Sequence, residues 1–142
     1  MRPRFEHILV PVDFTAKNQG ATDIAFELAV QNKARTTLLH VIEAIEFIPD
    51  EETVEFYRHL EERANGELDL ISQRFENAHV EVACKIRYGK RAHEIVRYEM
   101  DHGVDLIVMS SHRIDADHPA QSLGTLSYQV AMLCQCPVLL VK

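Results

Sequence analysis

Several short groups of residues carry the side chains or the backbone freedom that chemistry needs. Ser110-Ser111-His112-Arg113 closes an apolar run and enters a polar loop. Asp115, Asp117 and His118 follow in that loop, and Gly124-Thr125 opens a helical pattern beyond it. Asp13 ends the first apolar run, Lys90-Arg91 follows Gly89, and Cys134 and Cys136 make a C-x-C beside Pro137. A glycine at a helix start lets the backbone approach an anion, and the free amides and dipole there favour negative charge. Thr125 could cap that helix or bond a phosphate. Ser110, Ser111 and His112 do not read as a nucleophile with its base, because successive strand side chains point to opposite faces. His112, Asp115, Asp117 and His118 are transition-metal ligand types. One loop rarely folds four side chains onto one ion, so no metal site is assigned and the group reads as a solvated loop. The C-x-C lacks further ligands at metal spacing and reads as two small side chains near a helix end. Lys90-Arg91 reads as a solvated pair of cations, and His40 as a hydrogen-bonded core histidine. Asp13 could equally hold the turn that follows it. No G-x-x-x-x-G-K-[ST] loop is present, so phosphoryl chemistry of that kind is excluded.

The elements that must position these groups belong to one domain, residues 1–142. Fifteen basic residues stand against twenty-two acidic ones, for a formal net charge of −7. That balance argues against a general nucleic-acid binder, which needs a basic face to release counterions. No run is long and apolar enough to span a membrane, and no signal peptide is evident, so a cytoplasmic protein is expected. Three cysteines, an odd and low count, fit a reducing compartment.

Along the chain, near-continuous apolar runs alternate with helical stripes. His7–Asp13 and Thr36–Ile42 read as strands buried on both faces, as in a parallel sheet, and Asp105–Met109 and Pro137–Val141 as the fourth and fifth strands. Ala21, Ile24, Ala25, Leu28 and Ala29 make one helix stripe, with Thr15 or Asn18 as its expected cap. After a connector at 44–52 that holds Pro49, Tyr57, Leu60, Ala64, Leu68, Ile71 and Phe75 make a longer stripe. Its period runs through Asn65-Gly66, so one unbroken helix is expected. Val80–Tyr88 alternates apolar with polar residues, which marks an edge strand with Lys85 and Arg87 discouraging further pairing. Ala92, Ile95, Val96 and Met100 make a short stripe closed by Gly103. The order β-α-β-α-β-α-β-α-β predicts an open five-stranded parallel sheet with helices on both faces and right-handed crossovers. Ligands of such sheets bind beyond the carboxyl ends of the strands, at the switch point. Pro11, Asp13, Val41 and the stretch Ser110–Thr125 fall there.

PVDFT after the first strand, HV at the end of the second, DLIVM-S-SH-R in the fourth, LGT at the last helix and CPVLLV at the terminus resemble the universal stress protein family. The resemblance covers the whole chain. It implies a three-layer, Rossmann-like fold of the adenine nucleotide alpha hydrolase type, with strand order 3-2-1-4-5. It also implies a homodimer joined through the last strand, Pro137–Val141, whose apolar edge needs a cover. Many members bind ATP with Gly, two residues, Gly, nine residues, then Gly-Ser or Gly-Thr. Their Asp after the first strand meets the nucleoside and the backbone after the second meets the base. Carried onto this chain, the resemblance implies a nucleotide site of Pro11, Asp13, Val41, Ser110, Arg113, Gly124 and Thr125, for ATP or AMP with magnesium.

The chain departs from that pattern. Ser110 and Arg113 stand in place of the two early glycines, and ten residues, Ile114–Leu123, separate Arg113 from Gly124. Asp115 and Asp117 add charges that repel phosphate, Arg113 offsets them in part, and Pro119 restricts the loop. The expected function is a non-enzymatic, homodimeric stress-response regulator with a rewritten phosphate loop. The alternative is an ATP-binding protein or slow ATP hydrolase that uses Asp13 and Gly124-Thr125. The sequence names no signalling partner.

Overall fold

The computed structural model describes residues 4–44, 50–113 and 115–142. Strands β1 (His7–Pro11), β2 (Arg35–Ile42), β3 (Val82–Tyr88), β4 (Leu106–Ser110) and β5 (Val138–Val141) alternate with helices α1 (Asn18–Asn32), α2 (Glu51–Asn77), α3 (Arg91–His102) and α4 (Leu126–Leu133). The sheet runs β3-β2-β1-β4-β5, and every neighbouring pair is parallel. This is the expected order. Part of the connector that holds Pro49, residues 45–49, lies outside the described residues, as does Ile114.

The central strands are buried on both faces because each face meets a helix pair. Ile8, Val10, Val12 and Leu38 pack on one side with Ala21, Ala25 and Ala29 of α1 and Leu68 and Phe75 of α2. Three alanines in a row along α1 let that helix sit close to the strands. On the other side Leu9, Leu39, Val41, Ile107 and Met109 pack with Ile95 and Tyr98 of α3 and Val130 of α4. α2 passes through Asn65-Gly66 without interruption, and Asp50 caps it by accepting from the Thr53 amide at 2.8 Å. Packing of the stripe on β3 outweighs the glycine's propensity cost of about 1 kcal/mol.

β3 lies at an edge, with Val82, Cys84 and Ile86 turned toward α1 and α2. On its other face the Arg87 guanidinium lies 5.4 Å from the centre of the Tyr98 ring. Gly103 ends α3 in the left-handed region at φ 63°. Two local expectations are corrected. The buried face of α3 runs through Ile95, Tyr98 and Glu99, while Met100 is 64% exposed. Positions three and four beyond Ile95 share its face, and Met100 falls off it. Neither Thr15 nor Asn18 caps α1: Lys17 is the cap residue, without a side-chain bond, and Asn18 serves the strand ends instead.

Candidate functional site

β1 and β4 are registered at Ile8 with Leu106 and Leu9 with Ile107. Past that point their carboxyl ends face the crevice between the β1–α1 turn and the loop after β4, where the strand order reverses. Asn18 spans it. Its side chain is 4% exposed, donates to the Pro11 carbonyl at 3.5 Å and the Ser110 hydroxyl at 3.4 Å, and accepts from the Asp13 amide at 3.3 Å.

The β1–α1 turn is built by Asp13. Its carboxylate accepts from the Thr15 amide at 3.0 Å and the Thr15 hydroxyl at 2.7 Å, the side-chain turn typical of aspartate. Phe14 is held at φ 64°, a conformation costly for a bulky residue. Its ring lies 4.4 Å from that of His40, whose Nδ1 meets the Val12 carbonyl at 2.8 Å. The strained turn is thus pinned from above by the end of β2, and it aims Lys17 at the opposite wall.

That wall is the end of β4. The Ser111 hydroxyl is 2.9 Å from that of Ser127 in α4. His112 projects the other way, and its Nδ1 is in contact with the Lys17 ammonium across the crevice. Farther along, Asp115 closes on its own loop. It accepts from the Asp117 amide at 2.9 Å and lies 3.1 Å from His118 Nδ1, an interaction that holds its carboxyl below the usual range. Among the described residues no three histidine, cysteine or acidic side chains converge in a metal-binding group.

These walls enclose a cavity of about 530 Å³. Pro11, Asp13, Val41, Ser110 and Thr125 line it, as do Lys17, Arg91 and His112. Arg113 and Gly124, the other two residues assigned from sequence, are not part of its lining. Gly124 instead borders a groove of about 1010 Å³ between α3 and α4. A third cleft, about 570 Å³, shares Asp13, His40, Val41 and Arg91 with the first and adds Phe14, Tyr57 and Leu60. Sequence reasoning missed Lys17 altogether and placed Arg91 on a solvated face. Lys17 lies in the turn between β1 and α1 and Arg91 opens α3 after β3, and a place between a strand's carboxyl end and the next helix was the available signal. Arg91 Nε also lies 3.9 Å from Glu43 at the end of β2.

Cys134 and Cys136 lie outside this cavity. Burial and the nearby Glu99 carboxylate push the Cys136 thiol up to about 12, so it is protonated and unreactive near neutrality.

The model of the universal stress protein family matches residues 4–142. The chain belongs to the universal stress protein family. It is 27% identical over 148 residues to universal stress protein YxiE of Bacillus subtilis, covering 97% of this chain and 99% of that one. Universal stress protein UspA from Lactobacillus plantarum superposes with a TM-score of 0.77 at 25% identity, covering 98% and 99% of the two chains. More distant in sequence, at 16% identity, are a universal stress protein solved with cAMP (TM-score 0.72, 96% of each chain) and one from Archaeoglobus fulgidus solved with dAMP (TM-score 0.69, 97% and 98%). Within the family fold, this universal stress protein lines its crevice with Lys17, Arg91 and His112, side chains from three separate elements.

Proposed function

We propose that this universal stress protein is a cytoplasmic, homodimeric regulator that binds a small adenine nucleotide and does not turn it over. The observation that carries this reading is the crevice cavity of about 530 Å³ with Lys17, Arg91 and His112 in its walls. Its volume is in the ordinary range for small-molecule sites, roughly 300–1,000 Å³. A buried apolar floor of Leu39, Val41, Ile95 and Met109 suits a base, and the cationic Lys17 and Arg91 suit an anionic group. Asp13 and Val41, to which the family resemblance gives the nucleoside end, both line this cavity. Structures of this fold with cAMP and with dAMP make an adenine mononucleotide a natural ligand class.

The chemistry of the walls favours binding over catalysis. Ser110 accepts from Asn18, Ser111 pairs with Ser127 and His112 meets Lys17, so among the described residues no cavity serine is set against a histidine. A polyphosphate would have to run along a loop whose early glycines are replaced by Ser110 and Arg113.

Calorimetric titration with AMP, cAMP and magnesium ATP tests this, with mass spectrometry of the protein as purified. Mononucleotide binding tighter than that of ATP, without turnover, is expected. Absence of binding by all three overturns the nucleotide reading. Steady hydrolysis of ATP that is lost in Asp13→Ala would move the protein to the enzymes.

A further inference from the structure

Resting on the nucleotide reading, we infer that Lys17 and His112 form a side-chain clamp for a single phosphate group, in place of a glycine-loop amide cradle. The two residues are 95 positions apart and come from opposite walls, the start of α1 and the loop after β4. Their contact closes one end of the cavity near Ser110 and Asn18, both of which line it.

The donor inventory fixes what this contact is. A lysine ammonium has three N–H donors and no acceptor. To meet it, His112 Nδ1 must accept, so Nε2 carries the ring proton. Two ammonium N–H groups and the Nε2–H then remain for a ligand. Among the described residues no carboxylate is paired with Lys17. The charged groups around the pair are few. Asp13 shares the cavity, with one carboxylate oxygen engaged twice by Thr15. Arg91 lies beside Glu43 at the end of β2. Asp115, which sequence alone places as a phosphate repellent, is engaged by His118 and is not part of the lining.

A lysine and an imidazole that touch each other can part to admit one phosphate and donate to it from two sides. A polyphosphate would instead have to pass them into the loop of Arg113 and Asp115. A compact ammonium suits a phosphate without demanding the planar bidentate geometry of arginine. The clamp therefore contributes preference for a mononucleotide over both the bare nucleoside and the triphosphate.

Calorimetry with adenosine, AMP and magnesium ATP, on wild type, Lys17→Ala, Lys17→Arg and His112→Phe, isolates the phosphate contribution. Both side chains are exposed, so the variants should fold, and thermal unfolding verifies this. Wild type is expected to bind AMP at least about tenfold more tightly than adenosine, the scale of one charge-assisted hydrogen bond. Lys17→Ala should bring AMP down to the adenosine level while leaving adenosine unchanged. Lys17→Arg should retain most of the preference, and His112→Phe should lose several-fold. Unchanged AMP affinity in Lys17→Ala, equal wild-type affinity for AMP and adenosine, or tighter ATP than AMP each overturns the clamp. Wild type that binds neither adenosine nor AMP overturns the nucleotide reading itself.

Discussion

The side-chain amide of Asn18 lies 3.4 Å from the hydroxyl of Ser110, joining residues 92 positions apart across the mouth of the sheet. Asn18 is thus a brace between the two strands that frame the cavity, and it stands next to Lys17. Replacing it with alanine leaves the Asp13 amide without that partner and removes a buried side chain. The expected loss is about 1–2 kcal/mol, the scale of buried polar groups left unpaired. Urea unfolding measures it, and nucleotide affinity should fall in the same variant because Lys17 and Ser110 lose their spacing. Stability equal to wild type would show that the brace carries no strain.

His7 predicts a dependence on pH. It is 4% exposed at the opposite end of β1, with Nε2 2.8 Å from the Thr37 hydroxyl and Nδ1 3.2 Å from the His102 carbonyl. Burial, helped by the positive charge of Arg35, lowers its pKa from the ordinary histidine value, while the His102 carbonyl and Asp105 oppose the shift. The unfolded chain therefore binds the proton more readily than the native one. Stability is complete above the ordinary value of about 6.5 and falls as pH drops from there toward the lowered native value. Denaturant midpoints taken from pH 7.5 to pH 5 should decline, and His7→Asn should flatten the decline. An identical slope in that variant would assign the pH dependence to other groups.

Two glycines should respond to alanine in opposite directions. Gly66 is exposed in the middle of α2, and a Cβ there meets no atom within 4 Å. Gly66→Ala should stabilise by roughly 0.5–1 kcal/mol through helix propensity and a less flexible unfolded chain. Gly89, at φ +144°, would place a Cβ 2.8 Å from Glu94 Oε1. Gly89→Ala should destabilise by roughly 1–3 kcal/mol. Thermal unfolding of the pair decides both signs.

Leu139 bears on assembly. Among the described residues β5 pairs with β4 alone and ends the sheet, and Leu139 is 39% exposed there. An apolar edge strand invites a second strand. Sedimentation at micromolar concentration should give a dimer, and Leu139→Lys should shift it toward monomer. A monomeric wild type would sink the β5 dimer.

How much of this was legible follows from what each residue's neighbours report. The apolar runs at His7–Asp13 and Thr36–Ile42 revealed strands buried on two faces, and Asp105–Met109 revealed the fourth strand. The stripe from Tyr57 to Phe75 revealed one helix despite Gly66. Such periodicity records burial, which local sequence must satisfy residue by residue, so it fixes element type and face. The alternation in Val80–Tyr88 placed the edge strand for the same reason. Asp13, Val41 and Ser110 were legible as crevice residues because position at a strand's carboxyl end follows from element order alone.

Sequence by itself therefore determined the element order, the parallel sheet and the end at which the cavity opens. Only the tertiary structure decided which side chains meet there. Lys17 and His112 lie on loops without period, and their contact depends on how α1 leaves β1 and how β4 releases its chain. The same geometry left Arg113 and Gly124 outside the lining and turned Asn18 from a helix cap into a brace. Local pattern specifies which face of an element is buried, while the path of an aperiodic loop is set by long-range packing, so Lys17 and His112 meet only once the sheet has formed.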